Sequence, residues 1–307
     1  MRDIYVHVDA AGCYQGNGGQ LMLTLLAQAL VSMGYNVALF DAQDALNPAA
    51  FDWMAINDIP PFAPVADALA GERVVSSWLN KLFGSMWAHD GSQSFEWARA
   101  HLRYWCQDEM LRQDRQCLTA RVFILSGLVP MVISNRSNTE YYRALGFDNL
   151  DALDIWIRDE FKPAPEKRIT GRVGIQVTPA EEQGWRERLT SAGWADVLNC
   201  TGSQVEVRDT MQSCEWFLSW QAPKPMVFDG EGFGLALHEA LACGCKAVAR
   251  NTPNLAHLRG TVALVDRLSG ALVLLGDDVA VGDGAAFIDA HYRLDAERRA
   301  TIERWLA

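Results

Sequence analysis

The chain reads as an α/β protein made of two parallel-sheet domains, and three observations predict this. Short β-rich runs alternate with apolar segments at helical spacing along most of the 307 residues. Glycine-rich turns stand before a predicted helix in both halves, at 12–19 and at 232–234. Between the halves, Pro163 and Pro165 lie among the charges of Lys162, Glu166, Lys167 and Arg168, the composition of a solvated linker. The expected domains are therefore 1–165 and 166–307, each near the usual domain size of roughly 100–150 residues.

The elements follow in order. Residues 4–8 are a β-rich run, 9–20 a glycine-rich loop, 21–33 apolar at helical spacing, and 36–40 a strand after Gly34. This is a βαβ unit, which requires a parallel sheet whose ligands sit at the carboxyl ends of its strands. Residues 44–72, including Ile59, Pro60, Pro61 and Pro64, read as an irregular connection. Residues 95–116 are predicted helical, and the apolar run 122–133, broken by Gly127 and Pro130, ends in a strand. The segments 134–147, opened by Ser134, and 153–163 close the first domain. After the linker come a strand at 171–178, an amphipathic helix at 179–192, a strand at 197–200, a helix at 206–213 and a strand at 216–220. A helix over 235–243 follows.

Composition narrows the function. A formal charge of −11 argues against a bulk nucleic-acid binder, whose affinity comes from clustered Lys and Arg. Seven cysteines, with no CxxC pair among positions 13, 106, 117, 200, 214, 243 and 245, predict neither a disulfide framework nor a zinc site. Six histidines show no HxxxH or HExxH spacing, so no structural metal is expected. No apolar run approaches the roughly 20 residues that span a bilayer, and the first residues enter a strand rather than a signal sequence. The expectation is a soluble, cytoplasmic protein.

The densest chemistry lies at 231–239. Gly232 and Gly234 give backbone freedom just before a helix, whose unpaired amide groups and positive dipole end suit phosphate or sugar oxygens. Glu231 stands before that helix and Glu239 about one turn inside it, so two acceptors face one polar ligand at different depths. The plain alternative is a turn, a core helix with Leu235, Leu237, Ala240 and Leu241 buried, and two solvated glutamates.

The stretch 231–248, E-G-F-G-L-A-L-H-E-A-L-A-C-G-C-K-A-V, resembles the glutamate-any-seven-glutamate motif of retaining GT-B glycosyltransferases, family four in particular. Lys246 takes the place where that motif usually has proline. The resemblance covers most of 134–260, with a weaker echo at 4–40, where Gly18 and Gly19 match the family's glycine pair between first strand and first helix. It implies two Rossmann-type domains facing each other across a cleft. It also implies transfer of a sugar from a nucleotide-diphosphate donor to a glycan or lipid-linked acceptor, with the donor as co-substrate and no metal or other cofactor.

By the same resemblance Glu231 meets the donor-sugar hydroxyls, and Gly232 with the N–H groups of Phe233, Gly234 and Leu235 meets sugar or phosphate oxygens. Glu239 meets the ribose hydroxyls, and Gly18 and Gly19 lie near the diphosphate. The family's Arg and Lys after the first strand of the second domain have no counterpart here. Arg172 and Arg250 are the nearest candidates for phosphate counter-charge, with an ordinary surface arginine as the alternative for each. In the first domain His89 is the candidate second catalytic residue, contacting the donor sugar. The tryptophans at 78, 87, 97 and 105 are either a sugar-stacking wall or core packing. Two other functions stay open: a non-catalytic nucleotide-sugar-binding protein, and a glycosyltransferase acting on modified DNA bases. Oligomeric state, donor identity and acceptor identity are not legible in the sequence.

Overall fold

The computed structural model describes residues 3–8, 18–41, 60–77, 79, 82, 95–106, 129–134, 136, 139–144, 151–220, 233–275 and 281–307. They fall into two compact units, Met1–Ile155 with Asp295–Ala307, and Trp156–Leu294.

In the first unit β1 (Asp3–His7) leads through α1 (Gly18–Ser32) to β2 (Asn36–Phe40). Then come α2 (Val65–Ala70), β3 (Arg73–Ser76), α3 (Phe95–His101), β4 (Leu102–Cys106), β5 (Met131–Ile133), α4 (Thr139–Ala144) and β6 (Asp151–Ala152). The strands form one sheet in the order β2-β1-β3-β4-β5-β6, and every pairing is parallel. Direction reverses between β1 and β3, so the carboxyl ends of these two strands flank the sheet's switch point. One core cluster joins Phe40, Val74, Leu102, Tyr104 and Ile133 to the helices above.

Several expectations change here. The helix expected over 95–116 stops at His101, and Leu102–Cys106 is an interior strand with every residue buried. A parallel strand covered on both faces carries no alternation, so its aromatic run imitates a continuing helix. The connection at 44–72 contains α2, the segment 153–163, where the family resemblance implies a closing strand, holds none, the nearest strand being Asp151–Ala152, and α1 opens at Gly18 rather than at 21. Trp105 is wholly buried and Trp97 packs on the core while its indole N–H donates to the Leu69 carbonyl at 3.0 Å, so these two are packing residues. Trp78 and Trp87 lie outside the described residues.

The second unit runs β7 (Ile169–Ile175), α5 (Pro179–Ser191), β8 (Asp196–Asn199), α6 (Gln204–Ser213), β9 (Cys214–Ser219), α7 (Leu235–Ala242) and β10 (Lys246–Arg250). It closes with β11 (Ala263–Val265), α8 (Leu268–Leu274) and α9 (Gly284–His291). Its sheet has the order β11-β10-β9-β7-β8, again all parallel, with the switch point between β7 and β9. Helices cover both faces. Phe217, Ala247 and Ala249 meet α6, α7 and α9 on one side, whereas Val173, Trp216 and Val248 meet α5 and α8 on the other. Thr178 with Glu181 and Ser203 with Glu206 form capping boxes that start α5 and α6, and Asp283 caps α9.

The last helix, α10 (Ala296–Leu306), belongs to the first unit, whereas the sequence reading ran a second domain unbroken from 166 to 307. Two strand arginines hold it. Arg103 on β4 donates to the carbonyls of Trp305 at 2.8 Å and Leu306 at 3.4 Å, and Arg73 on β3 donates to those of Leu306 at 2.9 Å and Ala307 at 3.2 Å. Cations at the end of a helix neutralise its unpaired carbonyls and complement its dipole. Among the described residues no helix is long and apolar enough to cross a membrane.

Replacing buried Arg103 with Ala strips charged donors from these carbonyls, and is expected to cost about 2 kcal/mol or more in urea unfolding. Replacing Arg304, whose ion pair with Asp151 is solvent-exposed, is expected to cost under about 1 kcal/mol.

Candidate functional site

Helix α7 begins at the carboxyl edge of the second sheet, because it follows β9 and returns the chain to the start of β10. Gly234 precedes it with φ 77° and ψ 47°, a left-handed conformation that costs most other residues about 1–2 kcal/mol. Among the described residues no side chain caps this start. Unlike α5, α6 and α9, α7 therefore offers the N–H groups of its first turn, from Leu235 onward, to whatever binds there. Its far end is saturated. Gly244, at φ 82°, forms a Schellman turn in which Cys245 N–H donates to Ala240 at 3.0 Å and Gly244 N–H donates to Leu241 at 2.8 Å. Arg168 adds charged donors to the carbonyls of Cys243, at 2.6 Å, and Gly244.

Glu239 lies one turn into α7 and is only 4 % exposed. Its carboxyl group accepts no hydrogen bond among the described residues. Burial pushes its pKa up to about 7, against the pull of the nearby Arg158 guanidinium and with a small push from Glu160. Arg158 is itself largely buried, paired with Glu160 at 3.0 Å and bonded to Gln204 at the start of α6. Its Nε is buried without an acceptor. Arg293 fastens the segment that carries Arg158, donating to the carbonyls of Ile157, Arg158 and Phe161 at 3.2, 2.5 and 2.9 Å.

Phe233, Gly234, Leu235 and Glu239 are thus brought together, and Arg250 closes β10 at the same sheet edge. Arg172 is not. It sits at the middle of β7, bonded to Asp196 at 2.8 Å and to Ser213 at 3.1 Å, both at the opposite edge. The loop after β7, where a basic pair was sought, is closed by local hydrogen bonds: Asn199 accepts from Val177 N–H and donates to the Val177 carbonyl, both at 3.1 Å, and Glu181 accepts from Thr178 N–H at 3.2 Å. Glu182 beside it has a lowered pKa, chiefly because Asn199 donates to its carboxylate. Gly18 and Gly19 open α1 in the first unit. Glu231, Gly232 and His89 lie outside the described residues.

Sequence reasoning passed over His238. Its ring is fully buried, with Nδ1 2.9 Å from the Gly234 carbonyl and Nε2 3.1 Å from Nε2 of His257. Phe233 stacks on it at 4.1 Å and Tyr292 meets it edge-on at 4.9 Å. The signal was present, since residue 238 stands four places after 234 and lies one helical turn above it. In the first unit, His7 and Ser76 at the ends of β1 and β3 lie 2.9 Å apart at that sheet's switch point.

No protein-family model and no curated protein matches the chain. Solved structures do. Sucrose-phosphate synthase from Thermosynechococcus elongatus superposes with a TM-score of 0.67 at 11 % identity, covering 99 % of this chain and 98 % of that one. A lipopolysaccharide outer core galactosyltransferase in its apo form gives 0.57 at 10 % identity, covering 99 % of each chain. An alpha-glucosyltransferase in complex with UDP-glucose and DNA containing an abasic site gives 0.56 at 9 % identity, again over 99 % of each. At these identities the likeness is one of fold, two parallel-sheet units of the GT-B type.

Glu239 gives a pH test of the site. With a folded pKa near 7 against 4.5, the fold retains a proton that the unfolded chain releases, so this residue costs stability as pH rises from about 4.5 to 7. Above that window the cost is constant at roughly 3 kcal/mol. Glu239→Gln is expected to raise the melting temperature of the ligand-free protein at pH 8 and leave it nearly unchanged at pH 4.5. An equal shift at both pH values would contradict the burial account.

Proposed function

We propose that this chain is a retaining glycosyltransferase that moves a sugar from a nucleoside-diphosphate donor to a glycan or lipid-linked acceptor in the cytoplasm, without an essential metal. The observation that carries the reading is the start of α7, where amide groups that no described side chain caps stand one turn before the buried Glu239 carboxyl group, which accepts no hydrogen bond among the described residues, inside the Glu231–Glu239 spacing. A nucleoside diphosphate complements both features. Its phosphate or sugar oxygens accept from the N–H groups at 233–235, and its ribose hydroxyls donate to Glu239.

The reaction must stabilise a departing diphosphate and a sugar with oxocarbenium character. The positive end of α7 acts on the diphosphate, Glu231 on the sugar hydroxyls, and the acceptor attacks from the face the leaving group vacates, which retains configuration. Arg158 and Arg250 are the cations proposed to balance the phosphates in place of Arg172. A second reading, a nucleotide-sugar-binding protein without turnover, is favoured by the acceptor-lined loop after β7.

The test is a thermal-shift screen against nucleoside diphosphates and their sugar conjugates, followed by donor turnover on any stabilising ligand. Glu239→Ala is expected to weaken nucleoside-diphosphate binding at least about tenfold, since a hydrogen bond to a charged group contributes roughly 1.5–3 kcal/mol. Glu231→Ala is expected to abolish turnover while the protein stays folded. Wild-type turnover in Glu231→Ala contradicts the transferase reading, and tight binding with neither transfer nor donor hydrolysis supports the second.

A further inference from the structure

We infer that the buried His238–His257 pair is a positioning device for the donor site: it fixes the peptide plane between Gly234 and Leu235 and so aims the first amide of α7. The inference rests on the proposed donor site at that helix start.

Hydrogen-bond chemistry allows one proton arrangement. The Gly234 carbonyl can only accept, so the 2.9 Å contact requires a proton on Nδ1 of His238. Burial first, then the neighbouring His257, holds the His238 pKa down to about 3, so the ring is neutral and its Nε2 bears a lone pair. The 3.1 Å contact between the two Nε2 atoms then needs its proton from His257. The chain of donors runs His257 Nε2–H to His238 Nε2, and His238 Nδ1–H to the Gly234 oxygen. That oxygen also accepts the backbone N–H of His238 at 3.0 Å, so both its lone pairs are engaged by one residue.

The consequence for the site is geometric. A peptide group is planar, so an oxygen held on one side sets the direction of the Leu235 N–H on the other. Gly234 has no side chain to restrain its own torsions, and its left-handed conformation is secured from outside. Phe233 stacked at 4.1 Å and Tyr292 edge-on at 4.9 Å keep the His238 ring from rotating away. His257 comes from the 3-10 segment Pro253–Leu258 that follows β10, so the pair also ties the turn before α7 to the end of the neighbouring strand.

Two measurements test this. In the wild-type protein, imidazole nitrogen NMR is expected to show His238 protonated on Nδ1 and His257 on Nε2. A His238 ring protonated on Nε2 alone would overturn the arrangement, and this readout needs no ligand. In titrations with the nucleoside diphosphate that stabilises the wild type most, His238→Phe and His257→Phe are expected to raise Kd about five- to tenfold, the loss of one neutral hydrogen bond. His238→Asn restores a donor toward the Gly234 carbonyl, and His257→Gln restores one toward His238. Both are expected to recover most of the affinity. Folded phenylalanine variants that bind as tightly as wild type, or conservative variants no better than phenylalanine, overturn the positioning role. A wild type that shows the expected tautomers but binds no diphosphate removes the donor-site reading and with it the role assigned to the pair.

Discussion

Helix α7 is finished at one end only. Its last turn is closed by the Schellman hydrogen bonds around Gly244 and by the Arg168 guanidinium, whereas its first turn starts from a left-handed Gly234 with no side-chain cap among the described residues. The dipole of the helix is thus neutralised at the amino edge of the sheet and open at the carboxyl edge. Packing makes this asymmetry affordable. Leu237, Ala240, Leu241 and Ala242 are buried against Phe217, Ala247 and Ile288, and a fully buried leucine contributes roughly 2 kcal/mol, more than a missing cap costs. The helix stays formed although no described side chain caps its first turn.

Glu239 shows the same compromise in electrostatic form. A carboxyl group one turn inside a buried helix, with no hydrogen bond among the described residues and only the partial help of Arg158, is a poor choice for stability. A ligand with hydroxyl donors converts that deficit into binding energy. The cysteines nearby tell a different story. Burial pushes the Cys243 thiol up to about 12, and Cys245 donates to the Met211 carbonyl at 3.2 Å, so these residues pack rather than react.

Much of this was legible in the residues. Gly34, the alternation of apolar runs and the Gly-rich turns gave the two parallel sheets, and the A-C-G-C sequence after the glutamate motif already carried the glycine that ends α7. What stayed hidden was set by tertiary partners. β4 was unreadable because both its faces are covered and its single charge, Arg103, serves carbonyls some two hundred positions away. The return of α10 to the first unit depends on those same contacts and has no local signal. Arg172 looked available for phosphate, yet Asp196 on the adjacent strand claims it. His238 was overlooked because its role lies in one hydrogen bond to a backbone carbonyl, and residue type alone does not announce such a bond.

The central claim is that a nucleoside diphosphate binds at the start of α7. Amide hydrogen exchange, read with and without a saturating nucleoside diphosphate, tests it most directly. Exchange is expected to slow across 233–239, because the ligand engages the amides of the first turn and shields Glu239. Saturating ligand that leaves 233–239 exchanging as before, with protection confined to other segments, would contradict it.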